Sequence, residues 1–329
     1  MEIRMELNRL RPKQIDIEVT NKCNLSCKYC PNVCNKTFPE GNMSFDFFKS
    51  IVDRIDFPTT VVAWLNGEPF MNPEYNKMVA YLNEKKQRFY VTTNLTIWRQ
   101  DVLEELLKKG SSCYQIIISM DGMWGTGNIA KARPGTNEMV LKYNLERLFK
   151  MKRELQSETD IAVKICERGQ DWGEIEKYVQ YWLSTGDVDF VVVGKPLKDT
   201  NTECMRTEKC QYSDNNFMVI RWDGSLVVCA YNDKAANGLE LSYGKLDMTT
   251  PLLDAFNNEK AQAFRAAQRN GIYPEPCAHC GFAYTGVGYH GQVSFRGKPD
   301  VVYYTQSDYY NTFFSRVQRW KNDSYYTEE

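Results

Sequence analysis

Residues 14–30 read QIDIEVTNKCNLSCKYC. Apolar and polar residues alternate from Gln14 to Thr20, the period of a strand with two unlike faces. Three cysteines follow at once, Cys23, Cys27 and Cys30, spaced C-x3-C-x2-C at the strand's C-terminal end. Soft thiolates in that density suit iron better than a disulfide. Three of them leave one iron of a [4Fe-4S] cube open for a small ligand. A structural zinc site would need a fourth ligand, and Cys34 could supply it; otherwise Cys34 reads as a loop thiol.

Outward from this stretch the chain alternates strand and helix. Strands are expected at Thr60–Leu65, Phe89–Thr93, Tyr114–Met120, Ile161–Cys166 and Asp189–Gly194. Helices are expected at Ser44–Ile55, Pro73–Lys85, Asp101–Lys109, Glu138–Gln156 and Trp172–Ser184, with Ser44 as an N-cap. Six β-then-α units imply parallel strands with helical crossovers. Roughly 190 residues fall short of the roughly 250 of a closed eight-unit barrel, so a partial (β/α)6 TIM-like barrel fits. Its chemistry belongs at the C-terminal strand ends. Past Lys198 the texture changes. A hairpin is expected around Trp222–Ser225, a helix over Leu252–Arg269, and a Gly-, Pro- and Cys-rich segment after it. We therefore expect an α/β core over residues 1–198, a small C-terminal α+β cluster-binding domain over 199–295, and an aromatic tail over 296–329 packing on the body.

Composition narrows the chemistry. Of 329 residues only two are histidine, which leaves little for Ser-His-Asp hydrolysis or multi-His metal sites. Lys and Arg number 41 against 42 Asp and Glu, so no global basic field recruits nucleic acid. The apolar runs are too short to span a bilayer, and the first twenty residues lack a signal-peptide core. A cytoplasmic location is expected. Eleven cysteines in a reducing compartment read as metal ligands first.

Further motifs stand at the other strand ends: Asn66-Gly67-Glu68-Pro69 after the second, Thr93-Asn94 closing the third, Ser119-Met120-Asp121-Gly122 closing the fourth, then Arg133-Pro134-Gly135. With the cysteine triplet and the aromatic Tyr29 before Cys30, this order resembles the radical S-adenosylmethionine (radical SAM) superfamily. Asn66 departs from the family's G-G-E-P. The resemblance implies S-adenosyl-L-methionine on a [4Fe-4S] cluster held by Cys23, Cys27 and Cys30. It implies cofactor contacts from Tyr29, Gly67, Glu68, Asn94, Ser119 and Arg133. Glu68 would take the methionyl ammonium; Arg133 with Ser119 would take the carboxylate. Plain turn, cap or surface roles remain open for Glu68, Asn94, Ser119, Asp121 and Arg133.

Cys210, Cys229, Cys277 and Cys280 form C-x13-G-x4-C, a gap, then C-x2-C. This resembles the SPASM/twitch extension of the same superfamily in its shortened form, which implies one auxiliary [4Fe-4S] cluster. A zinc ribbon on the same four thiolates is the alternative. Cys204 could replace one ligand, and His279 reads as a neighbour of the site. Cys113 and Cys166 read as buried apolar residues; Cys166, ending a strand, also stands where a hydrogen donor would.

The implied activity is reductive cleavage of S-adenosylmethionine to a 5′-deoxyadenosyl radical, which abstracts a substrate hydrogen. The expected outcome is oxidative modification of a peptide or protein, as by a maturase, with an electron donor such as flavodoxin or ferredoxin. Against it, little sequence precedes Cys23 to hold a leader peptide. A small-molecule dehydrogenase or epimerase acting on an aminocyclitol or sugar is the alternative. RNA modification and a non-catalytic metal-binding scaffold rank below both.

Overall fold

The computed structural model describes residues 10–28, 30, 39–166, 172–194, 217–229, 241–273, 277–279 and 289–294. Six strands lie side by side in chain order, all parallel: β1 (Gln14–Ile17), β2 (Thr60–Val62), β3 (Phe89–Thr93), β4 (Cys113–Ser119), β5 (Asp160–Cys166) and β6 (Phe190–Gly194). Between them run α1 (Phe45–Val52), α2 (Tyr75–Glu84), α3 (Gln100–Leu107), the short α4 (Asn128–Ala132) with α5 (Glu138–Glu154), and α6 (Trp172–Thr185). This is the partial barrel the alternation implies.

The sheet continues at both edges. On one side β7 (Phe217–Ile220) pairs parallel with β1, and β8 (Ser225–Val227) and β9 (Ser242–Lys245) follow antiparallel. On the other, β10 (Tyr289–Ser294) pairs antiparallel with β6. The hairpin expected at Trp222–Ser225 is the β7–β8 turn. Gly224 sits there at φ +87°, a conformation that costs glycine least.

The strands bury both faces, as parallel strands under helices do. Ile15, Ile17, Val61, Val91, Ile116, Ile118, Ile161, Val163 and Val191 join the main core against the helices. The alternate residues Ile117, Ala162, Phe190 and Val192 pack together with Tyr90 on the opposite, inner face. Gln14 and Asp16 of β1 alternate with Ile15 and Ile17, so that inner face is polar along the first strand.

Caps fix the helix starts. Ser44 Oγ accepts from Phe47 N–H, as its sequence position implies. Asn137 Oδ1 accepts from Met139 and Val140 N–H and opens α5. The single helix expected over Leu252–Arg269 is instead two, α7 (Leu252–Phe256) and α8 (Glu259–Arg269). Asn258 breaks it: its backbone is extended and its Oδ1 accepts Ala261 N–H at 2.9 Å. The aromatic tail lies outside the described residues. Among the described residues no helix is long and apolar enough to cross a membrane.

Candidate cofactor site at the strand ends

The cysteine loop leaves β1 and is fixed by three other strand ends. Residue 67 meets it first. Gly67 has φ +77°, and a Cβ there would stand 2.6 Å from Lys22 O and 2.7 Å from Thr20 O. Only glycine lets the two backbones approach this closely. Glu68 N–H then donates to Lys22 O at 2.8 Å.

The Glu68 side chain turns inward and is 2% exposed. Its Oε1 accepts from Thr93 Oγ1 at 2.6 Å and from Phe70 N–H at 3.2 Å; its Oε2 accepts from Asn94 N–H at 2.7 Å. It therefore locks the loop after β2 to the end of β3, which a surface carboxylate would not do. Burial pushes its pKa up to about 7, against those three hydrogen bonds and the Arg133 charge, which pull it down.

Asn94 carries the connection onward. Its Nδ2 donates to Asn24 Oδ1 at 3.0 Å and lies 4.0 Å from Cys23 Sγ. Asn24 Nδ2 donates to Thr96 Oγ1. Within the loop, Leu25 N–H points at Cys23 Sγ (3.5 Å), and Cys30 N–H donates to Cys27 O (3.0 Å). Burial pushes the Cys23 thiol up to about 12, so ligating a metal must displace a proton.

The far wall is the segment after β4. Ser26 N–H donates to Pro134 O at 3.0 Å. Arg133 Nη1 donates to Cys27 Sγ at 3.7 Å, and Arg133 Nε donates to Asp121 Oδ2 at 2.7 Å. Burial opposes the Arg133 charge, but Asp121 and the Cys27 sulfur hold it above the ordinary guanidinium range. Asp121 is 1% exposed and takes φ +62°, unusual for a residue with a Cβ. Its Oδ1 accepts Cys166 N–H at 2.7 Å, so one carboxylate ties the ends of β4 and β5 to Arg133.

The structure thus brings Cys23, Cys27, Cys30, Gly67, Glu68, Asn94 and Arg133 to one end of the barrel. Ser119 ends β4 on the same inner face as Ile117, opposite Lys164 of β5. Tyr29, Cys34, Cys204, Cys210 and Cys280 lie outside the described residues. Of the second cysteine group, Cys277 packs against the small cluster of Val228 and Leu241, and Val228 precedes Cys229 in the chain. The His279 side chain is not among those described. Cys113 is fully buried.

The donor set fits an iron–sulfur cluster with a bound amino acid. Three thiolates stand on one loop, with N–H and guanidinium donors aimed at two of the sulfurs, as such clusters require. Among the described residues no three ligand-type side chains converge on a single metal ion; in a cube each thiolate binds a different iron.

One network was not legible as a site. Glu18 is wholly buried, accepts from Asn66 Nδ2 at 2.8 Å and faces Arg221 at 3.9 Å. Asn66, the departure from G-G-E-P, thereby ties the loop after β2 to β1 and the β7–β8 turn. The available signal was the acid at Glu18, in phase with Asp16 on the polar face of β1.

The radical SAM superfamily model matches residues 17–154, and the iron-sulfur cluster-binding SPASM model matches residues 210–281. The chain is 23% identical over 318 residues to the tungsten-containing aldehyde ferredoxin oxidoreductase cofactor-modifying protein of Pyrococcus furiosus, spanning 82% of this chain and 87% of that one. It is 31% identical over 115 residues to the antilisterial bacteriocin subtilosin biosynthesis protein AlbA of Bacillus subtilis, 34% of this chain and 25% of that one. Among solved structures, Streptococcus suis SuiB bound to its precursor peptide SuiA superposes with TM-score 0.62 at 14% identity, covering 80% of this chain and 69% of that one.

Proposed function

Because this chain is a radical SAM protein with an SPASM iron–sulfur domain after its barrel, we propose that it modifies a peptide or protein oxidatively, as a maturase. The two domains imply S-adenosylmethionine and [4Fe-4S] clusters. When bound, these supply a 5′-deoxyadenosyl radical that takes a hydrogen atom from the substrate. The chain's own residues do the rest. Cys23, Cys27 and Cys30 hold the first cluster; Cys210, Cys229, Cys277 and Cys280 hold one auxiliary cluster. Glu68 offers its buried carboxylate to the methionyl ammonium, with Gly67 keeping the backbone close. Arg133, held by Asp121, takes the carboxylate together with Ser119. Asn94 and Tyr29 complete the contacts.

The observation carrying this reading is the convergence of Glu68, Asn94 and Arg133 on the cysteine loop from three different strand ends. A metal-binding scaffold needs none of the three. The peptide assignment draws on AlbA, named for biosynthesis of the bacteriocin subtilosin, and on SuiB, solved with a precursor peptide bound. A second reading, a small-molecule substrate, draws on the Pyrococcus relative, which is named for modifying a cofactor.

The test is anaerobic. Reconstituted wild type should carry about eight irons per chain, falling to about four in a Cys23/Cys27/Cys30 triple Ala variant. Wild type with dithionite should form 5′-deoxyadenosine, and a short precursor peptide encoded beside the gene should lose hydrogen mass. A Cys23→Ala variant turning over at the wild-type rate would overturn the reading; peptide left unaltered while an aminocyclitol is oxidised would favour the second.

A further inference from the structure

We propose that Glu18, Trp64 and Thr92, one row on the inner face of the barrel, form the subsite for a single uncharged side chain of the peptide substrate, tipped with a hydroxyl or a carboxamide and carried on an apolar stem. The inference rests on the function proposed above and names the kind of residue that the peptide presents.

The row follows from strand alternation. Ile17, Val19, Ala63 and Val91 join the main core against the helices, so Glu18, Trp64 and Thr92 face the other way. Asp16 pairs with Val62 and Val62 with Tyr90; Glu18, Trp64 and Thr92 each stand one inner-face step beyond these partners. Each carries a buried polar atom with no hydrogen-bond partner: Glu18 Oε1, Trp64 Nε1 and Thr92 Oγ1. Glu18 is wholly buried, and only its other oxygen, Oε2, accepts from Asn66 Nδ2 at 2.8 Å and faces Arg221 Nη1 at 3.9 Å. A bare buried polar atom opposes folding, and native structures keep few of them. Three on neighbouring strands in one row point to a ligand that supplies the missing partners.

The three atoms specify its chemistry. A carboxylate oxygen accepts, an indole N–H donates, and a threonine hydroxyl does both. The group between them must therefore both donate and accept, as a hydroxyl or a carboxamide does and an ammonium or a carboxylate does not. Charge agrees: Glu18 already has Arg221 as its counter-charge, so a charged tip would add an unbalanced charge in a buried place. The row continues through paired residues, Thr92 to Ile117, Ile117 to Ala162 and Ala162 to Phe190. Those last three are buried together and apolar. A row polar in one half and apolar in the other suits an apolar stem with one polar tip, such as threonine, tyrosine or glutamine. An aminocyclitol, charged and polar on every edge, does not suit the apolar half.

The position suits a substrate group. Asn66, which holds Glu18, adjoins Gly67 and Glu68, and Thr93, beside Thr92, donates to Glu68 Oε1 at 2.6 Å. Trp64 comes two residues before Asn66 and Thr92 two before Asn94. The row therefore lies one inner-face step deeper in the barrel than the proposed cofactor contacts Glu68 and Asn94. It is tied to them through Asn66 and Thr93 without sharing their hydrogen bonds.

The experiment uses reconstituted holoenzyme and two conservative variants, Trp64→Phe and Thr92→Val, with the short precursor peptide encoded beside the gene as the probe. Formation of 5′-deoxyadenosine with the peptide gives KM and kcat, and an anaerobic titration gives the affinity for S-adenosylmethionine. Each variant should raise the peptide KM at least about fivefold and bind S-adenosylmethionine within about twofold of wild type. The urea midpoint of Thr92→Val should equal or exceed that of wild type, because the lost hydroxyl bonds nothing in the fold. Each hydroxyl- or carboxamide-bearing residue of the peptide is then replaced by an apolar isostere. One position should raise the wild-type KM similarly, and with that peptide Thr92→Val should add little further. An unchanged KM in either variant overturns the subsite, as does a peptide in which every such position is silent. S-adenosylmethionine binding weakened about tenfold would give the row to the cofactor instead, and a lowered Thr92→Val midpoint would give it to the fold. Wild type that cleaves S-adenosylmethionine with dithionite but leaves the peptide unaltered, or oxidises an aminocyclitol in its place, overturns the substrate class. Wild type forming no 5′-deoxyadenosine with dithionite would sink the proposed function itself.

Discussion

Gly67→Ala isolates the contact that sets the cysteine loop. Two costs combine. An L-residue at φ +77° pays about 1–2 kcal/mol for the left-handed backbone. The new methyl carbon would also stand 2.6 Å from Lys22 O, 2.7 Å from Thr20 O and 2.8 Å from Asn21 C. All three are backbone atoms that cannot rotate away, which adds about 1–3 kcal/mol. The expected loss is about 2–5 kcal/mol. Gly110→Ala is the control. Its φ is +73°, but nothing lies within 4 Å of its added Cβ, so it pays the backbone cost alone, about 1–2 kcal/mol. Anaerobic urea unfolding by circular dichroism reads both. If the loop yields instead of the fold, the cost emerges as lost iron, so iron per chain is read in the same samples. Gly67→Ala matching Gly110→Ala in stability, with full iron, would refute the steric argument.

Asp16 is 2% exposed, and burial pushes its pKa up to about 7, against its hydrogen bond from Gln14. The native state keeps a proton that the unfolded chain sheds, so stability present below about pH 4 is lost as pH rises towards 7. Asp16→Asn should flatten that slope and be more stable than wild type at pH 8 by up to about 4 kcal/mol; equal urea midpoints at pH 8 would contradict this. Asp121→Asn strips the partly buried Arg133 of its buried counter-charge and should cost about 3 kcal/mol, with weaker S-adenosylmethionine binding in an anaerobic titration; stability and affinity like wild type would remove Asp121 from the positioning role. Tyr75 is fully buried and its hydroxyl donates to Ala63 O at 2.9 Å. Tyr75→Phe should lose about 1 kcal/mol, and a thermal midpoint at or above wild type would count against that bond.

The barrel was legible because its strands are short apolar runs between long amphipathic helices, two unlike periods in strict alternation. The place of the cysteine loop at a strand end was legible because the triplet directly follows the alternating stretch that forms β1. What escaped was whatever depends on pairing across the chain. Nothing in Phe217–Ile220 says that its partner is β1, because a parallel register carries no turn to announce it. Glu18 and Arg221 are 203 residues apart in sequence and meet only once that pairing forms. The helix break at Asn258 was missed for a different reason: both halves keep helical periodicity, and only the asparagine side chain turning back on Ala261 separates them. Asp121 reads equally well as a turn residue until its carboxylate is seen to reach both Arg133 and Cys166.

The pairing of β1 with β7 bears on how the protein is made. On a ribosome the first strand emerges long before Phe217–Ile220, its partner along the whole of Gln14–Ile17. Until then β1 offers an open ladder of N–H and C=O groups beside an unfinished cluster loop, the kind of edge that recruits other chains. A gene truncated after the sixth strand would keep every cysteine of the first group and leave that edge bare for good. Its product would be expected in inclusion bodies, and supplying residues 199–329 in trans during synthesis, so that the edge is covered, should draw it back into the soluble fraction.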